Sequence, residues 1–128
     1  MLSSLDDAGL LREVLTRSEP AWTELLRRYR FVIERTIAKA LKHHVDAADD
    51  VFGDFCALLL ERDMRKLRAW DPARGARLST WLCLLAIHAA RDRLLTLRRN
   101  GRIGDDAYLV LEEELDWAEL NATPRGEA

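Results

Sequence analysis

Residues 19–43 read EPAWTELLRRYRFVIERTIAKALKH, and this stretch decides the fold class. Its apolar positions are Trp22, Leu25, Leu26, Tyr29, Val32, Ile33, Ile37, Ala40 and Leu41. They recur three and four residues apart, which gathers them on one wide face of an α-helix. Arg27, Arg28, Arg30, Glu34, Arg35 and Lys39 fall mostly outside that face. Ser18 is a candidate N-cap, and Pro20 sits in the first turn, where its missing N–H costs little. The spacing predicts a helix from about Glu19 to His43.

Working outward, the same periodicity returns four more times. A first helix is expected from about Leu5 to Thr16, capped by Ser4, with Asp6 and Asp7 at its positive end. A third is expected from about Ala47 to Leu67, with Asp46 as cap and Asp49 three residues on in the manner of a capping box. Val51, Phe52, Phe55, Leu58, Leu59 and Leu60 make it apolar around much of its girth, so it is expected to be the central helix. Pro72 and Gly75 mark a loop. A fourth helix is expected from about Ser79 to Arg99, with Trp81, Leu82, Leu85, Ala86, Ala89, Leu94 and Leu97 inward. Asn100-Gly101 suits a left-handed C-terminal cap. A fifth, acidic helix is expected from about Asp105 to Leu120, with Tyr108, Leu111, Leu115 and Ala118 as its stripe. No stretch alternates as a strand does. The fold class is therefore all-α, a compact bundle of four to five helices, with residues 1–103 as the main helical domain and 104–128 as an acidic helix and tail.

Composition fits this reading. The 128 residues suit one domain. With 48% hydrophobic and 33% charged residues, the chain is too apolar for disorder. No apolar run reaches the ~20 residues of a membrane helix, and the first residues do not resemble a signal peptide. A cytoplasmic protein without a membrane partner is expected. Cys56 and Cys83 form no CxxC pair and read as small core residues.

The net charge of −2 hides a strong asymmetry. Residues 62–102 carry eleven basic and three acidic side chains, a net of +8. Residues 105–128 carry eight acidic and one basic, a net of −7. A basic stretch followed by an acidic one suggests a polyanion-binding surface with an acidic appendage. A solvated helical surface whose charges happen to segregate explains it equally well.

Catalytic signals are weak. His43 and His44 are adjacent and point in different directions on a helix, and His88 stands alone. No HExxH, phosphate-binding glycine loop or nucleophile elbow is present. No enzyme activity, cofactor or metal site is expected. The chemistry concentrates instead between Trp70 and Arg99. Trp70, Arg74 and Arg77 lead into Ser79 and Thr80, whose hydroxyls lie near a helix N-terminus suited to a phosphate. Basic side chains attract phosphates, and aromatic rings stack on unpaired bases. Trp81 lies on the apolar stripe and reads as core.

Four motifs in order resemble a known family. Residues 48–56, from Ala48-Asp49-Asp50-Val51 to Cys56, look like the motif AEDLVQEVF. Trp70-Asp71-Pro72 through Leu78-Ser79-Thr80-Trp81-Leu82 looks like F-D-P…F-S-T-W-L. Residues 86–94, from Ala86 to Leu94, look like I-A-R-N-x-A-x-D-x-L. Residues 21–29, from Ala21-Trp22 to Tyr29, are similar to A-F-x-E-L-Y-x-R-Y. Over roughly residues 5–100 the chain thus resembles region 2 of the extracytoplasmic-function sigma factors of bacterial RNA polymerase. The resemblance implies binding to the clamp coiled coil of the core RNA polymerase largest subunit, through Asp49, Asp50, Gly53 and Asp54. It implies recognition and melting of the promoter minus-ten element, through Trp70, Arg74, Arg77, Ser79, Thr80, His88, Arg91, Arg98 and Arg99. It also adds an anti-sigma factor as a candidate partner.

The chain departs from the family pattern at Gly53, where Gln is usual, at His88, where Asn is usual, and at Leu95, where Arg is usual. No match to the family's second helical domain follows Gly101. These departures keep a second reading open, a sigma-like regulatory or interaction domain that no longer initiates transcription. In that reading the acidic helix covers the basic face. In the plainer one its apolar stripe packs on the core and its acids are solvated.

Overall fold

The computed structural model describes residues 1–41, 44–75 and 77–122, without the side chains at 45 and 122. Among them lie five α-helices and no strand: α1 (Asp7–Leu15), α2 (Glu19–Ala40), α3 (Val45–Arg68), α4 (Leu78–Arg99) and α5 (Asp105–Ala122). Short 3-10 turns lie at Leu2–Ser4 and Pro72–Arg74. The protein is an all-α helical bundle, as the periodicity predicts.

The helix starts follow side-chain chemistry, with two corrections. Ser18 caps α2, accepting from the Ala21 N–H at 3.3 Å, with Pro20 in the first turn. Ser4 does not cap α1, because it closes the 3-10 turn, its hydroxyl donating to the Met1 carbonyl at 2.7 Å. Asp6 caps instead, accepting from the Gly9 N–H at 2.8 Å. Helix α3 starts at Val45 after His44, without a side-chain cap. Asp46 therefore lies inside the first turn, where its charge suits the positive helix end. Helix α2 ends at Ala40, short of the predicted end, and His43 lies outside the described residues.

The C-terminal end of α4 is the Schellman motif that Asn100-Gly101 predicts. Gly101 takes φ +71°, its N–H donates to the Arg98 carbonyl at 3.1 Å, and the Arg102 N–H reaches the Leu97 carbonyl at 2.9 Å. This turn reverses the chain, so α5 returns along α4.

The central helix is α4, not α3. It packs against α2, α3 and α5, and buries Leu78, Leu82, Cys83, Leu85, Ala86, Ile87, Ala89, Ala90 and Leu94. Its alanines allow close helix approach, and interaxial distance depends on the side chains at the contact. Helix α3 contributes Val51, Phe55, Leu59, Met64 and Leu67 to the core but leaves Leu60 exposed. It is also interrupted. Arg62, Asp63 and Met64 take φ of 50°, 56° and 59°, a left-handed turn without a glycine. Such backbone costs of order 1–3 kcal/mol per residue and needs outside support. Met64 is buried, Arg17 pairs with Asp63, and Arg68 Nε donates to the Asp63 carbonyl at 2.8 Å.

The other end of the bundle is held by Glu24 and Arg28. Glu24 is buried and accepts from Arg27 Nε at 2.6 Å and Arg28 Nε at 2.7 Å. Arg28 also donates to the Leu2 and Leu5 carbonyls at 3.0 and 2.7 Å, tying the N-terminal turn to α2. Tyr29 donates to Asp7, and burial is the main cause that raises its phenol above the ordinary range. Both cysteines are free. Cys83 is buried and Cys56 half-buried, where burial pushes its thiol up against the opposing charge of Arg30.

Candidate functional site

The acidic candidates sit on the first half of α3. Asp49, Asp50 and Gly53 are exposed. A Cβ built on Gly53 meets nothing within 4 Å, so the glycine answers no steric demand. Asp54 differs. It is half-buried and accepts from Arg93 Nε and a terminal Arg93 nitrogen, both at 2.7 Å. This bidentate pair ties α3 to α4 and gives the carboxylate an internal partner. The Asp54 hydrogen bonds raise the Arg93 guanidinium above its ordinary value against the effect of burial, with a smaller share from the charge of Asp50.

The basic candidates divide into two groups. The first surrounds the α3–α4 connection. Arg65 and Lys66 on the last turn of α3 are exposed, as are Arg74 and Arg77 in the loop. The Arg74 side chain is 87% exposed, and the nearby Asp71 lies 3.9 Å away. Asp71 is turned to its own loop, accepting from the Ala73 N–H at 2.9 Å, and Gly75 closes the loop at φ +84°. Trp70 is half-buried and packs on the core rather than standing free. Trp81 is also half-buried, and its Nε1 donates to the Lys66 carbonyl at 3.0 Å. That bond fixes the last turn of α3 against the first turn of α4. Arg65 and Lys66 lie outside the family motifs, and only their place beside the loop singles them out.

The second group faces α5. Because α5 runs back along α4, the pairs form in reverse order. Arg98 Nε lies 3.1 Å from Asp105, and its guanidinium carbon sits 4.6 Å from the centre of the Tyr108 ring. Arg91 reaches Asp116 and Glu119, both at 2.6 Å. His88 Nε2 lies 3.8 Å from Glu119, so His88 and Arg91 share one carboxylate. Burial lowers the Arg91 guanidinium, but its hydrogen bonds to Glu119 and Asp116 outweigh this and hold it above its ordinary value. Arg99 is exposed at the helix end.

Ser79 and Thr80 belong to neither group. They are half-buried and line a groove of about 630 Å³ between α2, α4 and α5. Val32, which the helical stripe assigns to the core, is exposed because it forms the opposite wall of this groove. Glu114 and Trp117 close it from α5, and local periodicity singles out neither.

Helix α5 combines the two roles its composition allows. Leu111 and Leu115 are buried on the core, with Tyr108 and Ala118 half-buried beside them. Asp105, Asp116 and Glu119 engage α4, whereas Asp106 and Glu113 are exposed. Among the described residues no group of three or more His, Cys, Asp and Glu side chains is arranged to hold a metal, and no helix is long and apolar enough to cross a membrane. No family model, curated protein or solved structure matches the chain.

Proposed function

We propose that this chain is a sigma-like transcription-initiation module that binds core RNA polymerase and promoter DNA in the cytoplasm. It works by binding and strand capture and carries no catalytic step. The observation that supports it best is the α3–α4 connection, where Arg65, Lys66, Arg74 and Arg77 are exposed around a loop. The ordered motifs of residues 21–94 place promoter recognition at the same loop by resemblance. Phosphate contacts supply most of the affinity of such a surface, and it is salt-dependent. Asp49 and Asp50 lie exposed on α3, the helix that the resemblance assigns to the polymerase clamp. Asp50→Ala therefore abolishes most capture of core RNA polymerase in a pull-down that the wild-type chain supports. Failure of the wild-type chain to capture polymerase removes the initiation role.

A second reading is favoured by the contacts of α5. Three DNA-contact candidates, His88, Arg91 and Arg98, already face acidic side chains. In this reading the chain is a sigma-like regulator whose acidic helix competes with DNA for α4. Asp116→Asn combined with Glu119→Gln then raises affinity for single-stranded DNA several-fold at low salt, with a steeper salt dependence. Equal affinities and slopes for the variant and the wild type exclude the competition.

A further inference from the structure

A helix that is apolar on one face has a simple explanation, but α5 is apolar on two. Its inner stripe, Leu111 and Leu115, is buried on the core. Leu109, Val110, Trp117 and Leu120 are 61%, 53%, 61% and 67% exposed. At about 100° per residue these four fall within one arc of roughly 100°, on the outward side of the helix. A helix with large apolar residues on both faces is a buried helix, and here one face lacks its cover. The patch does not stop at α5. Trp117 also walls the groove of about 630 Å³, whose far side carries Val32 and whose floor carries Cys83. The surface therefore runs from α2 across the groove and over α5, with Thr36, Lys39, Ser79 and Thr80 as polar points in the groove wall.

We propose that this surface docks a basic amphipathic helix of a partner protein, with apolar side chains in the groove and on Trp117 and basic ones toward α5. Charge selects this occupant. Residues 105–122 contain seven acidic side chains and no lysine or arginine. Asp106 and Glu113 lie within the outward arc and are exposed. A second copy pairing α5 against α5 would set acid against acid. Nucleic acid is repelled for the same reason. Helices that lie on membranes carry lysine and arginine on their polar face, which α5 lacks. A basic helix satisfies both the apolar stripe and the carboxylates, in the helix-in-groove mode. Of the DNA-contact candidates only Ser79 and Thr80 line this groove; the arginines of the proposed DNA surface lie outside it.

The test uses the full chain and a synthetic leucine–lysine peptide of about four helical turns, with leucine at three-and-four spacing, beside its scrambled isomer. The expected result is saturable one-to-one binding in titration calorimetry, about tenfold tighter for the amphipathic peptide than for the scrambled one. Trp117→Ser and Leu120→Ser are solvent-facing changes that leave the core intact, and each weakens binding about tenfold. Arg12→Ala, an exposed change on α1, leaves the peptide affinity unchanged, which separates this surface from a general change of charge. Equal binding of the two peptides, no saturable binding, or indifference to Trp117→Ser overturns the proposal. A dimer of the free chain in sedimentation, dissolved by Trp117→Ser, assigns the surface to a second copy instead and also overturns it.

Discussion

The two basic regions of this molecule have similar composition and opposite surroundings. Around the α3–α4 connection, Arg65, Lys66, Arg74 and Arg77 are exposed on a loop and the last turn of α3. Along α4, Arg91 and Arg98 meet the carboxylates of a helix anchored to the core. A count of basic residues treats these regions alike. The first is ready for a polyanion, whereas the second must exchange an existing ion pair before it can bind one. An exposed ion pair such as Arg98–Asp105 contributes only about 0–1 kcal/mol, so its exchange is cheap if α5 stays in place, whereas Arg91 is partly buried between its two carboxylates. Moving α5 as a whole costs far more, because Leu111 and Leu115 hold it.

The largest effect is expected where that anchor is cut. Leu115 is fully buried, and Leu115→Ala removes its packing and leaves a cavity. A loss of about 2–5 kcal/mol is expected in denaturant unfolding. A loss near zero would mean that α5 is already detached in solution, and the contrast between the two basic regions would disappear.

The next effect sharpens the contrast directly. On the proposed reading, Arg74→Ala with Arg77→Ala removes two exposed charges from the loop, lowering single-strand affinity about tenfold at low salt and the salt slope by about 1.4. Arg91→Ala also removes one charge, but one that two carboxylates already hold, so its effect on affinity is less than about twofold. The measurement is fluorescence anisotropy of a labelled single strand across a salt series. Equal losses per arginine from the two regions would show that α5 does not shield α4.

Much of the fold is legible in local sequence. The stripe of α2, the Ser18 cap, the Asn100-Gly101 stop and the inner face of α5 all rest on neighbours within four residues. The failures are long-range. Large apolar residues favour α3 as the centre, but the small residues of α4 bring three helices close. The left-handed turn at Arg62–Met64 has no glycine to announce it, and the contacts around it, burial of Met64 and the pairing of Asp63 with Arg17 forty-six residues earlier, are long-range. The site divides in the same way. The motif residues Arg74, Arg77, Asp49 and Asp50 lie exposed, as a surface site requires. That Asp54 is held by Arg93, and that His88 and Arg91 share Glu119, depends on how helices pack and leaves no local signal.

The smallest expected effect on binding comes from a third carboxylate–arginine arrangement, one that no helix movement can open. Glu24 is held by Arg27 and Arg28, three and four residues ahead on the same helix. Hydrogen bonds from Arg27, then Arg28, lower its carboxyl from the usual 4.5 to about 2. A carboxylate depressed on folding stabilises the native state above its unfolded pKa and loses that contribution as pH falls toward its folded one. The window is therefore pH 4.5 to 2. Glu24→Gln lowers the thermal midpoint at neutral pH, flattens its decline across that window and converges with wild type at the acid end. DNA affinity stays unchanged, because Glu24 is buried and its carboxylate is held by Arg27 and Arg28, which belong to neither basic region. Parallel pH profiles for the two proteins would show that the pair forms equally in the unfolded chain, which i, i+3 and i, i+4 neighbours on a residual helix allow. The α4–α5 pairs have no such alternative, since Arg91 and Asp116 lie twenty-five residues apart and meet only when the bundle is folded.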